Sequence, residues 1–215
     1  MIIEQLTVGP LQENCWLIAD EQTRECVLID PGDEADSLLD AVHQAGCTLT
    51  AIWLTHAHFD HLGAVADILR RYAVPVHLHP ADQPLYERAR ESGMLYGLQI
   101  ETPPPVSDNL TEGGRVSIGS TVFTVWHVPG HSPGHVAFIS DEYCFSGDLL
   151  FAGSVGRTDL PLCDARAMHA SLLRVATLAP VVRVFPGHGK ETTIARELAS
   201  NPFLRGIARP ISVSA

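Results

Sequence analysis

The chain has 215 residues, of which 46% are hydrophobic and 18% are charged, and its formal net charge at pH 7 is −11. This composition excludes an intrinsically disordered protein and allows a large apolar core. The acidic balance argues against nucleic-acid binding, because a protein that follows a phosphate backbone needs clustered Lys and Arg. The length suits one domain, and we expect a single domain over residues 1–215.

The N-terminus and the cysteines indicate a cytoplasmic protein. Residues 1–8 lack the basic flank and the long apolar core of a signal peptide, and no apolar run in the chain is long enough to span a membrane. The five cysteines form no C-x-x-C pair, which is typical of reduced thiols rather than of a disulfide framework. We therefore expect a cytoplasmic protein that does not bind membranes and is a monomer or a dimer.

The first half of the chain predicts strands first and then alternating helices and strands. Three successive strands, the first two joined at Gly9-Pro10, favour an antiparallel meander. Helical periodicity then alternates with short apolar runs that are typical of strands. The predicted elements are strands 2–8, 15–19 and 26–30, helix 35–42, strand 49–54, helix 61–71, strand 74–79, a charged helix 82–91 and an irregular segment 92–108.

The second half repeats this order of strands followed by helices. Its predicted elements are strands 115–118, 121–127, 135–140 and 143–146, helix 165–178, strand 181–185 and helix 192–200. A chain that runs twice through strands and then helices indicates two packed β-sheets with helices outside them. The fold class is therefore α/β, in the form of an αβ/βα sandwich.

A cluster of side chains that can bind a metal lies directly after strand 49–54. His56, His58, Asp60 and His61 fall within six residues. Such a group needs polar partners when it is buried, and a divalent cation is the simplest partner for all four side chains. The turn follows the carboxyl end of a strand, where open α/β folds place their active sites. The alternative interpretation is a solvated polar turn without function.

Three later turns place a His or an Asp directly after a glycine at the end of a predicted strand. These residues are His131, Asp148 and His188. Glycine lets the backbone turn tightly, so that the next side chain can point into a shared site. The whole set of five histidines and two aspartates suits two divalent ions of borderline softness, such as zinc. A carboxylate could bridge the two ions, and a water between them becomes the hydroxide nucleophile of a metallo-hydrolase.

With these residues the chain resembles the metallo-β-lactamase superfamily. The resemblance rests on His56-x-His58-x-Asp60-His61 and on the three later turns. It implies a four-layer αββα sandwich of two mixed β-sheets with helices outside. It implies two divalent metal ions, zinc or alternatively iron or manganese, with Asp60 orienting the bridging hydroxide. The implied ligands are His56, His58 and His131 for one ion, Asp60, His61 and His188 for the other, and Asp148 as the bridge.

Within this superfamily the chain is similar to the compact bacterial type of the glyoxalase II-like group, the hydroxyacylglutathione hydrolases. The segments that carry this similarity are 144–150, 156–159, 186–189 and 201–205. The similarity implies hydrolysis of a thioester, with S-lactoylglutathione as the expected substrate. The chain ends at Ala215, and we expect it to lack the C-terminal helical domain with which the longer enzymes hold glutathione.

Other polar residues near these motifs are expected to have supporting roles. His135 and Thr55 are predicted to hydrogen-bond to the ligands rather than to bind metal. Arg157 either meets a substrate carboxylate as a bidentate fork or braces its own loop. Lys190 has the same two alternatives, and a solvated lysine is favoured. A second pair with His-x-His spacing is interpreted as structural or surface histidines, His77 and His79.

Other functions of the same fold remain as alternatives. A persulfide dioxygenase would use one iron on two histidines and a carboxylate, whereas the presence of His188 favours two ions. A lactonase or another metallo-hydrolase would use the same hydroxide nucleophile, and the expected lack of a signal peptide disfavours a periplasmic β-lactamase. A metal-binding protein without activity is disfavoured, because every expected ligand position is filled.

Overall fold

A first mixed β-sheet is built from the N-terminal half of the chain in the computed structural model, which describes residues 1–211. β1, β2 and β3 pair antiparallel, which confirms the predicted meander, and β3 to β6 pair parallel. The strands are β1 (Ile2–Val8), β2 (Glu13–Ala19), β3 (Glu25–Ile29), β4 (Thr48–Trp53), β5 (Val76–Leu78) and β6 (Asp108–Asn109), and they are neighbours in that order.

A second mixed sheet is built from the C-terminal half. Its order is β14-β13-β10-β9-β8-β7, with β10 and β13 parallel and the other pairs antiparallel. Two short strands pair as a separate hairpin, β11 (Leu150–Phe151) with β12 (Ser154–Val155). The strands of the sheet are β7 (Arg115–Ile118), β8 (Thr121–His127), β9 (Val136–Ile139), β10 (Tyr143–Gly147), β13 (Arg183–Pro186) and β14 (Thr192–Thr193).

Within residues 1–211, six short α-helices accompany the two sheets. They are α1 (Ala35–Gln44), α2 (Val65–Leu69), α3 (Gln83–Glu87), α4 (Ala89–Leu95), α5 (Ala165–Val175) and α6 (Ile194–Ser200). The start of α5 is set by Asp164, whose side chain accepts hydrogen bonds from the N–H groups of Arg166 and Ala167. Within residues 1–211, no helix has the length and apolar character needed to cross a membrane.

The burial pattern of β2 shows how the layers stack. All seven residues of β2 are buried, and successive side chains point to opposite faces. Leu17 packs in a cluster with residues of α1 and α2, while Trp16 and Ile18 pack with residues of the second sheet. A third cluster covers the outer face of the second sheet with Met168 and Leu172 of α5. The order helix, sheet, sheet, helix confirms the expected αββα sandwich.

The predicted helix 61–71 is wrong in its bounds. The chain instead forms a 3₁₀ turn at Phe59–His61, and α2 begins only at Val65. Gly63 explains the interruption, because a Cβ at this position would lie 2.3 Å from the carbonyl oxygen of Gly32. The close approach of the two loops therefore determines the backbone conformation here, although the apolar side chains have the periodicity of a helix.

Other predicted elements differ from the structure at their ends. The charged helix 82–91 is divided at Arg88 into α3 and α4, and α4 continues into the segment predicted as irregular. Helix 165–178 ends at Val175, strand 181–185 runs from Arg183, and residues 192–193 pair as β14 before α6 begins. The sequence gives no signal for β6, β11, β12 or β14, because a two-residue strand is too short to show alternation.

Candidate metal centre

The first sheet brings several polar side chains to one of its edges. β3, β4 and β5 are parallel, so their carboxyl ends point the same way. Asp30 follows β3, the segment from His56 to His61 follows β4, and Asp82 follows β5 by a few residues. β2 is antiparallel to β3, so its first residue, Glu13, lies at the same edge.

The second sheet contributes its side chains in the same manner. β10 is parallel to β13 and antiparallel to β9, which is in turn antiparallel to β8. The carboxyl ends of β8, β10 and β13 therefore meet at one edge, and they lead to His131, Asp148 and His188. Gly147 fulfils the predicted role of a turn glycine, because its φ is +48° and a Cβ would lie 2.3 Å from the hydroxyl oxygen of Thr55.

One group of possible ligands, the three-histidine group, consists of His56, His58 and His131. Its ligand atoms lie within 4.8 Å of one another, and Nδ1 of His58 is 2.8 Å from Nε2 of His131. Burial, reinforced by the neighbouring imidazoles, lowers the pKa of His56 well below its usual value. Burial and His131 lower the pKa of His58 to about 3. These two imidazoles are therefore neutral at pH 7, which is the form that binds metal.

A second group, the aspartate–histidine group, consists of Asp60, His61 and His188. Oδ2 of Asp60 lies 3.4 Å from Nε2 of His188 and 3.9 Å from Nε2 of His61. Burial alone would lower the pKa of His61, but the carboxylates of Asp148 and Asp60 outweigh it and raise that pKa well above its usual value. Burial alone would also lower the pKa of His188, but Asp60 and Asp148 outweigh it and raise that pKa. The carboxylates of this group therefore favour the protonated form of its imidazoles.

Asp148 lies between the two groups. Its Oδ2 is 3.3 Å from Nε2 of His131 and 3.7 Å from Nε2 of His188, and its Oδ1 is 3.4 Å from Nε2 of His61. Burial alone would raise the pKa of this carboxyl, but the three imidazoles outweigh it and hold the pKa well below its usual range. An ionised carboxylate that contacts imidazoles of both groups has the position expected of a bridging ligand.

Thr55 hydrogen-bonds to Asp30, and Asp30 in turn contacts the possible ligand His61. Asp30 is not among the site residues predicted from the sequence. One oxygen of the Asp30 carboxylate accepts the Thr55 N–H at 2.7 Å, and the other accepts the Thr55 hydroxyl at 2.5 Å. The second oxygen also lies 3.1 Å from Nδ1 of His61, which leaves the Nε2 atom of that ring facing Asp148. The sequence does place Asp30 at the end of a predicted strand directly before a proline, but this pattern indicates only a turn and gives no sign of its contacts with Thr55 and His61.

His135 holds the backbone at Asp148. Its Nε2 atom accepts a hydrogen bond from the Asp148 N–H at 3.0 Å, and the side chain is fully buried. The residue lies outside both groups of ligand atoms, in agreement with the supporting role expected for it.

The segment that carries His188 is held by the start of β2. Asn14 donates from its side chain to the carbonyl oxygens of Pro186 and Gly189, and its N–H donates to the carbonyl of Gly187. Trp16 also donates its indole N–H to the Pro186 carbonyl at 3.0 Å. Sequence reasoning missed these contacts, because an Asn at the start of a strand has no local signal of a partner far along the chain.

Two buried carboxylates were also missed. Glu13 is 1% exposed, and neither of its carboxylate oxygens has a hydrogen-bond partner within residues 1–211. Its Oε1 is 3.6 Å from Nδ1 of His61, and burial raises its pKa well above the usual value. Asp82 is fully buried, although it was expected on a charged helix at the surface.

The remaining predicted residues lie outside the two groups. Arg157 forms a bidentate ion pair with Asp159 at 2.6 and 2.8 Å, which is the loop-bracing alternative. Lys190 is exposed. His77 and His79 are partly buried, and His79 stacks on His127 with 4.2 Å between ring centroids. Neither histidine belongs to a cluster of metal ligands, in agreement with their interpretation as structural residues.

The donor atoms at the centre fit two divalent ions. In the part of the chain that the structure describes, buried atoms without a hydrogen-bond partner include Nε2 of His56, Nε2 of His61 and Oδ1 of Asp148. Buried polar atoms without partners cost free energy, so their accumulation at one place indicates missing partners. Imidazoles with carboxylates are suitable ligands for zinc, iron and manganese.

Comparison with known proteins places this geometry in context. The family model of the metallo-β-lactamase superfamily matches residues 8–188. The probable metallo-hydrolase YqgX of Bacillus subtilis is 38% identical over 95% of this chain and 98% of its own length. The hydroxyacylglutathione hydrolase GloC of Haemophilus influenzae is 35% identical over 95% of this chain and 98% of its own length. TTHA1623, for which there is a crystal structure in a di-iron-bound form, is 51% identical in sequence to this chain. The two structures superpose with a TM-score of 0.86 over 94% of this chain and 100% of the TTHA1623 chain.

Proposed function

The chain belongs to the metallo-β-lactamase superfamily of metallo-hydrolases, and we propose that it hydrolyses thioesters, with S-lactoylglutathione as substrate. The observation that carries this proposal is the position of Asp148 between two groups of metal ligands. The likeness to a hydroxyacylglutathione hydrolase over nearly the whole of both chains supports the choice of thioester.

In this proposal two divalent ions bind at the centre. His56, His58 and His131 would hold one ion, Asp60, His61 and His188 would hold the other, and Asp148 is placed between the two groups. When bound, such a pair of ions lowers the pKa of a water between them and polarises a carbonyl group.

The chain's own residues determine where water and substrate arrive. The side chains of Asp60 and His188 are 17% and 27% exposed, whereas His56 and His61 are fully buried. The substrate therefore approaches from the side of Asp60 and His188. From there the Asp60 carboxylate accepts a hydrogen bond from the attacking water and orients it toward the thioester carbonyl.

The leaving group of a thioester requires little help from the protein. A thiol has a pKa of about 8.5, so the thiolate leaves without a strong general acid. Thr55 and His135 are held in hydrogen bonds to Asp30 and to the Asp148 backbone, so they fix the ligands and do not transfer protons. A thioester, whose leaving group needs little protonation, is therefore a more suitable substrate for this centre than an amide.

A cavity of about 840 Å³ adjoins Asp60 and offers a place for the thiol carrier. Its lining includes Phe59 and Asp60, the β1–β2 turn and residues 98–102. Arg90 is the one cationic residue among the described residues that line it. Two of its carboxylates, Asp67 and Glu101, are already paired with Arg70.

Arg90 replaces Arg157 as our candidate for binding a substrate carboxylate. Arg157 is committed to Asp159, whereas no carboxylate of residues 1–211 lies within 4.0 Å of an Arg90 nitrogen. A guanidinium recognises a carboxylate through two parallel hydrogen bonds, and glutathione carries two carboxylates. In this way the cavity would hold the thiol carrier.

The test is turnover of S-D-lactoylglutathione by metal-replete protein, with the metal content measured on the same sample. Hydrolysis with about two ions per chain is the expected result. His188→Ala should lose activity together with one ion, while the exposed His169→Ala should change neither.

Other results would contradict the proposal. Two bound ions without thioester hydrolysis would direct attention to lactones and other esters, which should be assayed on the same sample. Oxygen uptake with glutathione persulfide by a protein that holds a single iron would instead identify a dioxygenase.

A further inference from the structure

Asp82 is a buried carboxylate that accepts three hydrogen bonds. Its Oδ2 accepts the Ala57 N–H at 2.9 Å and the Ser132 hydroxyl at 2.7 Å. Its Oδ1 accepts the Gly134 N–H at 2.5 Å. The residue is completely inaccessible to solvent. Hydrogen bonds to an ionised carboxylate are about twice as strong as hydrogen bonds between neutral groups, so the three donors are held strongly to Asp82.

The three donors belong to the two loops that carry the three-histidine group. Ala57 lies between His56 and His58 in the loop after β4 of the first sheet. Ser132 directly follows His131, and Gly134 is two residues further along the loop between β8 and β9 of the second sheet. Asp82 itself follows β5, so one carboxylate fastens a loop of the first sheet to a loop of the second.

The loop that contains Gly134 packs closely against Asp82. A Cβ at Gly134 would lie 2.6 Å from the backbone nitrogen of Asp82 and 2.9 Å from its Cβ. The loop of Ser132 to Gly134 therefore rests directly on the Asp82 residue. Loss of the carboxylate would leave two buried N–H groups without a partner, which costs more than the hydrogen bonds themselves contribute.

We propose that Asp82 is a positioning residue that sets the metal affinity of the three-histidine group. It fixes the distance between the loop of His56 and His58 and the loop of His131, and these loops together supply that group. This inference rests on the proposed metal centre but not on the identity of the substrate.

The effect of Asp82 should be confined to one half of the centre. The aspartate–histidine group is held by other contacts, since Asp30 bonds to His61 and Asn14 holds the segment of His188. None of the three hydrogen bonds of Asp82 reaches Asp60, His61 or His188. Selectivity between the two groups therefore separates a positioning role from general stabilisation of the fold.

The experiment measures Co²⁺ affinity in full-length chains that retain a single group. His188→Ala leaves the three-histidine group, and His58→Ala leaves the aspartate–histidine group. Adding Asp82→Asn to the His188→Ala chain should weaken Co²⁺ binding by about tenfold or more and alter the visible spectrum of the ion. This size is expected because the loss of supporting contacts costs about 10- to 100-fold in metal affinity. Adding Asp82→Asn to the His58→Ala chain should leave both affinity and spectrum unchanged.

Two further variants serve as controls. Glu197→Gln is the matched control, because Glu197 is also fully buried and accepts hydrogen bonds from Gly153, Thr192 and Asn201. It should lower the melting temperature without changing either Co²⁺ affinity. Ser132→Ala removes one of the three bonds and leaves the backbone donors in place, so it gives a smaller loss and serves as the test if Asp82→Asn does not fold.

The outcomes distinguish this inference from the proposed function. A lower melting temperature with unchanged Co²⁺ affinity, or an equal loss at both groups, would overturn the role of Asp82. Selective weakening at the three-histidine group in a protein that binds two ions but hydrolyses no thioester would support the role of Asp82 and refute the thioester proposal.

Discussion

The two halves of the candidate metal centre differ in charge and in exposure. In the three-histidine group, burial and mutual repulsion keep His56 and His58 neutral. In the aspartate–histidine group, carboxylates raise the pKa of His61 and His188, and two of the three side chains reach solvent. In the first half the pKa values of two imidazoles are therefore lowered, and in the second half carboxylates favour the protonated imidazoles and two side chains are partly exposed. The difference predicts that the first half retains metal and that the second half receives the substrate.

The largest effect is expected for Asp148, which lies between the two groups. Asp148→Ala removes the carboxylate that contacts His61, His131 and His188, so both ions should be lost together with more than about a hundredfold of activity. Metal analysis and thioester turnover on one sample test this expectation. The exposed Asp141→Ala is the control for loss of an acidic residue. Retention of two ions by Asp148→Ala would show that the halves are independent.

Separate removal of one ligand from each half should distinguish them. His58→Ala and His188→Ala should each lower the metal content to about one ion per chain. His58→Ala should also lower the melting temperature more, because a partly buried imidazole against His131 is replaced by a void, whereas His188 is more exposed. Calorimetry with metal analysis measures both effects. Loss of both ions from either variant would contradict the division into halves.

The pH dependence of metal binding should also differ between the halves. Because the pKa values of His61 and His188 are raised, these imidazoles keep their protons to a higher pH than usual, and an ion must displace such protons to bind. Affinity at that half should therefore rise with pH by up to about tenfold per unit for each proton released. The lowered pKa values of His56 and His58 predict a weaker pH dependence at the other half. Titration of the His188→Ala and His58→Ala chains at several pH values checks the sign, and equal slopes would refute it.

The smallest effect is expected for Arg90, which lines the cavity beside the aspartate–histidine group. Arg90→Gln should raise KM for S-D-lactoylglutathione about tenfold and leave kcat unchanged, because the side chain lines the cavity beside Asp60 without belonging to the metal centre. Arg88→Gln, on the same segment but outside the cavity lining, is the matched control. A fall in kcat with an unchanged KM would remove Arg90 from substrate binding.

The sequence predicted the parts of the molecule that depend on local pattern. The meander, the two-sheet sandwich and the turns of His56, His131, Asp148 and His188 all follow from strand ends, glycines and chemically distinctive side chains. The ligand roles of these residues stay predictions, although the structure brings their donor atoms together.

The parts that could not be predicted depend on contacts between distant segments. Asp82 is in a charged stretch and has no local sign of its burial between Ala57 and Ser132. Arg157 was left with two alternatives until the position of Asp159 decided between them. The interruption of helix 61–71 at Gly63 likewise depends on Gly32, which lies in another loop.

The origin of the ligands in two sheets has a consequence for how the protein is made. Each group takes two ligands from the loop after β4 and one from the second sheet, so neither group is complete until the sheets have docked. During synthesis, the emerging N-terminal half presents His56 to His61 long before His188 has left the ribosome. We therefore expect metal capture to be a late event in folding, so that metal content would report how much of a preparation has reached the native assembly of both sheets.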